Sequence, residues 1–411
     1  MLEKSIGFLI LPVVTRYLAV SEYGHYSLYI SVATFLSIFI GFGGDNFARL
    51  LTAKSPEVYS EIKYILFIYF FLSLIIILGI LIYTLEFTNF IPLNDNEIML
   101  AVLDSSLIFA INYKLCVLQA QRKVVKYCIV NLTRVALYVI IILFGFLFFD
   151  FKVNELIVTR LISCFIVVIL FCLPAKNILK GVRISFTNIR RTSKFIFSLL
   201  PNSIILGFTN IGDRLIMANI SLTLLGSFNF LLAVIMPYIL IVQILHKATF
   251  PLIINHYKKD QIDQINIINI SMLLIFSAFI FLTLPIYIYL LETIAGIDYI
   301  DNLNLVYLFA LVPLIQNFYF SFARVLTFTE KVHYLSFINI PISVLYILII
   351  LLFVNTLEVF ILSYVLLELI KTILVVTISN KIIKHNFLKK KYLSSIFIKF
   401  KNFKKINFKF V

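Results

Sequence analysis

The sequence predicts an all-α integral membrane protein with about twelve transmembrane helices in two six-helix lobes, related by a pseudo-two-fold axis along the membrane normal. Three observations predict it. Hydrophobic residues make up 62% of the 411 positions and charged residues only 13%, too little polar surface to solvate a globule of this size. Twelve apolar runs long enough to approach a bilayer crossing recur along the chain. Connections rich in Lys and Arg alternate with connections that are neutral or acidic, and bilayer insertion keeps Lys and Arg on the cytoplasmic side.

The expected spans are 5–20, 26–44, 62–84, 98–119, 128–149 and 155–173, followed by 195–217, 224–247, 267–290, 305–327, 334–354 and 357–379. The basic connections carry Arg49, Lys54 and Lys63; Arg122, Lys123 and Lys126; Lys176 to Lys194; Lys258 and Lys259; and Lys331. The others carry acids such as Glu86, Asp95 and Glu97, or Glu292, Asp298 and Asp301. An even count and the charge pattern agree in placing both termini in the cytoplasm. With no Trp in the chain, interface anchoring falls to its 22 Tyr and to snorkelling Lys and Arg.

The longest connection sits at the midpoint and divides the chain into a lobe at 1–173, a basic cytoplasmic linker at 174–194, a lobe at 195–379 and a basic cytoplasmic tail at 380–411. A local repeat supports the division. Thr15-Arg16, Tyr23-Gly24 and Tyr26 in the first half recur as Asp213-Arg214, Leu225-Gly226 and Phe228 in the second. In this reading each glycine opens the second span of its half. Prolines inside spans concentrate in the second half, at Pro201, Pro237, Pro285, Pro313 and Pro341, where each removes a backbone hydrogen bond and permits a bend.

The net charge of +15 divides between cytoplasmic loops and the tail, where it faces anionic headgroups, so membrane lipids rather than nucleic acid are the expected contact. Cys116, Cys128, Cys164 and Cys172 lie in or beside apolar runs without CxxC spacing, and the five histidines stand singly. Neither a disulfide framework, a metal site nor a cofactor is expected. No cleavable signal sequence is evident, because the first apolar stretch runs into Thr15-Arg16.

Ionisable groups at membrane depth are expensive and mark polar cavities. The spans or their ends hold Asp104, Lys114, Arg134, Arg160, Asp213, Arg214, Lys247, Arg324, Glu368 and Lys371, seven cations against three anions. An excess of guanidinium groups fits an anionic ligand, above all phosphate, which Arg grips through paired donors. Arg16, Arg134, Arg160 and Arg214 are the expected substrate-binding cations. Asp104, Asn202, Asp213, Asn317, Arg324, Glu368 and Lys371 are further cavity or ion-coupling candidates, with Glu368 and Lys371 spaced to neutralise each other. Polar residues share helix faces: Asn202, Thr209 and Asp213; Asn131 and Arg134; Asn317 and Arg324. Lys114, Lys247 and Arg324 sit near cytoplasmic helix ends and are placed to snorkel. The chain carries no nucleophile–base arrangement, no HExxH and no glycine-rich phosphate loop, so a transporter is expected rather than an enzyme.

Leu11 to Leu51, with Pro12, Thr15, Arg16, Leu18, Glu22, Tyr23, Gly24, Tyr26, Gly41 or Gly43, and Arg49, resembles the opening of the O-antigen (Wzx-type) polysaccharide flippases. Ser198 to Ile220 resembles their seventh helix through Pro201, Asp213 and Arg214. That family shares a superfamily with lipid II flippases and with multidrug-and-toxin-extrusion antiporters. The resemblance implies two six-helix lobes around a cationic cavity in the bacterial inner membrane. It implies translocation of an undecaprenyl-pyrophosphate-linked oligosaccharide, as for lipopolysaccharide, from the cytoplasmic to the periplasmic leaflet. Partners would be the lipid-linked oligosaccharide and the polymerase and chain-length regulator of the same pathway. Family members usually carry a longer segment before the first-helix proline, so span one is short against the roughly 20 residues of a crossing; it either tilts in a thinned bilayer or belongs to a chain started at a downstream Met. Two alternatives are a multidrug antiporter, which would want a more acidic cavity, and a membrane polysaccharide polymerase, which would want a large periplasmic loop.

Overall fold

The computed structural model describes residues 11–40, 48, 52, 70–72, 74–75, 92–149, 151–172, 189–190, 192–193, 207, 211–258, 261–328, 333–353 and 356–383. The expected span 62–84, the linker 174–194 and the tail 380–411 lie almost wholly outside the described residues, and Asn202 lies outside them. Helix α1 is Val20–Phe39, α2 Asp95–Ala120, α3 Val124–Phe148 and α4 Val153–Val167, the last continued by a π turn at Val168–Cys172. Helix α5 is Leu222–Lys258, α6 Ile262–Ile294, α7 Leu305–Phe309, α8 Leu311–Phe328, α9 His333–Phe353 and α10 Leu357–Ile383. Residues 11–17 and 211–220 are also helical. Seven helices among the described residues are long and apolar enough to cross a membrane. Their outward faces are apolar too, as at Phe281 (81% exposed) and Val125 (72%), which suits lipid as the surrounding solvent.

The helix starts follow from short-range chemistry. Glu22, Glu97 and Glu155 each stand at the third position of α1, α2 and α4 and accept the backbone N–H of Ala19, Asn94 and Lys152, at 2.9–3.0 Å. Each carboxylate satisfies a donor the helix cannot and lies favourably on the positive end of the dipole. For α1 this moves the start to Val20, six residues ahead of the expected 26, so Gly24 lies within the helix and does not open it. The expected span 305–327 is interrupted at Ala310. Pro313 has no N–H to offer Phe309, and the chain divides there into α7 and α8. Pro285 and Pro341 lie inside α6 and α9 without ending them.

The chain divides into two compact units. The first comprises Met1–Phe230, Ala295–Ile300 and Ile350–Leu357; the second comprises Leu231–Ile294, Asp301–Ile349 and Glu358–Val411. In the first unit, Ile111, Leu115 and Leu118 of α2 pack with Val130 of α3 and with Cys164 and Val167 of α4. In the second, Tyr319, Phe322, Ala323 and Leu326 of α8 pack with Ile338 of α9 and Val375 of α10.

Within the first unit α1 crosses the first turns of α5 closely enough that only glycine fits. A Cβ on Gly24 would collide with the Leu222 carbonyl oxygen, and one on Gly226 with the Val20 carbonyl oxygen. The contact is reciprocal, because Val20 and Leu222 each stand four residues before their glycine. One turn further, Asn229 Nδ2 donates to Ser27 Oγ at 2.8 Å. The 3-10 segment Ile297–Asn302 begins beside this crossing: the Tyr299 hydroxyl donates to the Leu18 carbonyl at 3.2 Å, and a Cβ on Gly296 would strike the Thr15 carbonyl. Burial pushes the Tyr299 hydroxyl well above the ordinary tyrosine range, which keeps it a donor.

Gly24→Ala or Gly226→Ala is expected to cost about 1–3 kcal/mol by forcing backbone apart, read as a lower thermal unfolding midpoint in detergent micelles. Ser27→Cys with Asn229→Cys, in a background lacking the native cysteines, should cross-link under oxidising conditions; a pair that never cross-links would contradict the crossing.

Candidate functional site

The most deeply buried charge of the first unit, Asp104 of α2, meets a half-buried arginine of α4. Arg160 Nε donates to Asp104 Oδ2 at 2.7 Å, and the Asp104 side chain is fully buried. Asp104 lies nine residues into α2, about 13 Å from its start and well within a hydrocarbon core of roughly 30 Å. Around the pair stand three tyrosines. Tyr26 of α1 is hydrogen-bonded to Tyr138 of α3 near Arg160, while Tyr29 of α1 is buried near Asp104 and Arg160. Asp104 Oδ1 and the Tyr29 hydroxyl find no partner among the described residues. At the start of α2, His25 Nε2 meets Glu97 Oε1 at 2.9 Å. Ser105 donates to the Ala33 carbonyl at 2.6 Å, tying α2 to α1 beside Asp104.

The other first-unit candidates stand on further helical segments. Arg134 is buried on α3, one turn from buried Asn131, on the face the spacing predicts. Arg16 is exposed on the helical segment 11–17. Arg214 Nη1 is 4.0 Å from Asp213 Oδ1, and its Nε donates to Asn229 Oδ1 at 3.3 Å. Asn229 therefore joins Arg214 to Ser27 of α1.

In the second unit Lys371 Nζ lies 3.0 Å from Glu368 Oε1 on α10 and 4.6 Å from the centroid of the Tyr319 ring. The i, i+3 pair neutralises itself, as its spacing predicts. Asn317 of α8 is fully buried, and its Oδ1 accepts from His246 Nε2 of α5 at 2.7 Å. Arg324 Nη1 donates to Thr249 Oγ1 at 3.0 Å. Arg324 is buried, so it does not snorkel to a helix end. Among the described residues no group of His, Cys, Asp and Glu is arranged to hold a metal ion.

Several participants are absent from the sequence reading. His25 and His246 read there as isolated histidines, Tyr26 only as part of the repeat and of the flippase-like opening, and Glu97 as loop charge, while Tyr138, Thr249, Ser27 and Asn229 carry no motif. One signal was present: Thr249 follows His246 by three residues on a helix that closes among Lys258 and Lys259, a polar face where a purely apolar one would serve. The pairing of Asp104 with Arg160 has no linear signature, since 56 residues separate them.

These features define a multi-pass helical membrane protein with charge pairs held at membrane depth. The same fold is found in solved transporters. The inward-facing conformation of a multidrug resistance MATE family transporter of the MOP superfamily matches over 92% of this chain and 98% of its own, with a TM-score of 0.58 and 13% identity. The outward-facing conformation of such a transporter matches with a TM-score of 0.56 and 12% identity, over 93% of both chains. A MOP superfamily transporter from Pyrococcus furiosus, described as having a binding pocket of reverse polarity that suggests a different function, matches over 93% of this chain and 92% of its own, with a TM-score of 0.52 and 14% identity. No protein-family model and no curated protein matches the sequence. At these identities the likeness establishes the fold, a two-lobe helical membrane architecture of the class the sequence predicts.

Asp104→Asn is expected to destabilise the protein by about 3–5 kcal/mol, because it leaves Arg160 buried without its counter-charge. The double variant Asp104→Asn/Arg160→Gln should be less damaged than the single one. Thermal unfolding in micelles checks both; a double variant that loses the full sum of the two single effects would show that the pair is not coupled.

Proposed function

We propose that this chain is an alternating-access transporter of the MOP superfamily that moves an undecaprenyl-pyrophosphate-linked oligosaccharide, an O-antigen or related repeat unit, from the cytoplasmic to the periplasmic leaflet of the inner membrane. The observation that carries the reading is the balance of charge within the spans. Each of the three carboxylates at membrane depth is engaged by a cation: Asp104 by Arg160, Asp213 by Arg214 and Glu368 by Lys371. Arg324 is buried with no carboxylate within 4.0 Å among the described residues. A low-dielectric site with surplus guanidinium favours an anion, and the pyrophosphate carries the highest charge density on such a substrate.

The flippase resemblance of Leu11–Leu51 and Ser198–Ile220 supports the same substrate. Solved inward- and outward-facing conformations of this fold support alternating access. In this reading the headgroup and sugars pass between the lobes while the polyprenyl tail stays in lipid. Arg16 and Arg134 contact the pyrophosphate or acidic sugars. Arg160 and Arg214, placed among the substrate contacts by sequence, reach the substrate while held in orientation by their carboxylates. The polymerase and chain-length regulator of the pathway are the proposed partners.

A multidrug antiporter is the second reading, favoured by the multidrug resistance proteins that share the fold. It would need a carboxylate able to meet a cationic drug, and here the three carboxylates already face cations.

The deciding experiment follows lipid-linked repeat units in a deletion strain, with a periplasmic ligase capping whatever reaches the outer face. Uncapped single units held on the cytoplasmic side are the expected result. Capped single units without long chains would mean polymerase, and normal long chains would favour the antiporter. In the complemented strain Arg134→Ala should abolish transport and Arg134→Lys retain part of it. Full activity of the alanine variant would remove Arg134 from the mechanism.

A further inference from the structure

We propose that the buried seam between α5 and α8 in the second unit, around His246, Asn317 and Arg324, is a binding site for a phosphate-class oxyanion. Two polar rungs join these helices. His246 Nε2 donates to Asn317 Oδ1 at 2.7 Å, and Arg324 Nη1 donates to Thr249 Oγ1 at 3.0 Å. Asn317, Ser321 and Arg324 fall at i, i+4 and i+7 on one face of α8, and all three are at least nine-tenths buried. His246 and Thr249 sit one turn apart on α5. A long helical side chain leans back toward the start of its helix, which carries the Arg324 guanidinium from its own level toward Ser321 and Asn317.

Three atoms of this seam have no partner among the described residues: Arg324 Nη2, Asn317 Nδ2 and His246 Nδ1. The first two are obligate donors. The orientation of the amide is set by its neighbour: because Asn317 Oδ1 accepts from the imidazole, Nδ2 is turned away from it and left open. The Phe320 ring, 5.6 Å from the imidazole, packs against His246 and limits its movement. Ser321 spends its hydroxyl on the Asn317 carbonyl at 2.9 Å and does not fill the gap.

Charge supplies the rest of the argument. Arg160, Arg214 and Lys371 each have a carboxylate, whereas Arg324 meets only a neutral hydroxyl and has an unused Nη2. A buried guanidinium without a counter-charge costs several kcal/mol, and an oxyanion that accepts from both Arg324 and Asn317 removes that cost through charge-assisted bonds. The same unit buries Asn266 and Asn269 of α6, whose four side-chain polar atoms also lack partners among the described residues. Both lie within the first two turns of α6, after α5 closes at Lys258. By the charge pattern that end is cytoplasmic, and in that orientation an anion would reach the seam from the cytoplasmic side. The binding itself stands on this geometry alone; that it is the first landing site of the pyrophosphate rests on the function proposed above.

The absence of Trp makes the test direct, since Phe320→Trp installs the only indole beside the seam. The full-length Phe320→Trp protein, in nanodiscs of phosphatidylcholine, is titrated with inorganic phosphate and with pyrophosphate. A saturable change in fluorescence is expected, weakened about tenfold or more by Arg324→Gln. Asn317→Asp guards against a misfolded variant: it replaces the open Nδ2 donor with an acceptor and adds a negative charge two turns from Arg324 on the same helix face, and should abolish anion binding in a protein whose thermal unfolding midpoint confirms that it is folded. A response seen only in nanodiscs containing phosphatidylglycerol, and lost in Asn317→Asp, would support the site with a lipid headgroup as the source of the oxyanion. No response to either source, or one that Asn317→Asp leaves intact, would overturn the proposal. Because no transport is measured, a negative result in the leaflet assay would leave this one standing.

Discussion

The first unit depends on one interaction, the ion pair of Asp104 with Arg160. In water such a pair contributes little, because both ions are well solvated apart. Inside a bilayer neither has that alternative, and each alone would cost far more than a buried neutral hydroxyl. Helices α2 and α4 cannot separate without exposing one charge or the other to hydrocarbon. The tyrosines of α1 and α3 extend the constraint, because Tyr26 and Tyr138 meet each other beside the guanidinium and Tyr29 lies by the carboxylate. Four helices are thus keyed to a single pair of charges, while the apolar cluster of Ile111, Val130 and Val167 fills the space around them.

The two units treat polar groups differently. In the first, Asp104 is neutralised by Arg160 from a helix distant in sequence, while Asp213 meets its neighbour Arg214. In the second, Lys371 is neutralised locally by Glu368 one turn away, and Arg324 is given only Thr249. A local i, i+3 pair fixes nothing beyond its own helix. It leaves the packing of the second unit to its apolar clusters and to the rungs on α5 and α8.

Much of the fold was legible because membrane solvation writes itself into composition. Apolar length marks the spans, and Glu97, which appeared as non-cytoplasmic loop charge, turns out to start a helix by holding a backbone N–H, as Glu22 and Glu155 do. The break at Ala310 was foreshadowed by Pro313, though not its position. Gly24 was misread as a helix opening because a glycine ahead of an apolar run has that meaning in a single sequence; its actual reason, a carbonyl of another helix against its Cα, is a tertiary fact. The candidate site was legible only as a set of charges. Which charges pair could not be read, since Asp104 and Arg160 look alike as lone polar residues in apolar runs. His246 and Tyr138 were invisible for the opposite reason: neutral, scattered side chains are ordinary until a neighbour places them.

The crossing of α1 with α5 has the form of an internal two-fold contact. Residues 20, 24 and 27 meet 222, 226 and 229, a constant offset along the sequence, and the glycine contacts are the same in both directions. Reciprocity of this kind is what an isologous interface produces, where one surface patch of a subunit meets its own copy. A half-length ancestor dimerising through that patch would have needed one glycine, and any change to it would have struck both sides at once. Within one chain the two sides of the contact need not be identical. Ser27 and Asn229 now occupy what would have been one position, and the hydrogen bond between them is a pairing that two copies of either residue alone would not have made in the same form.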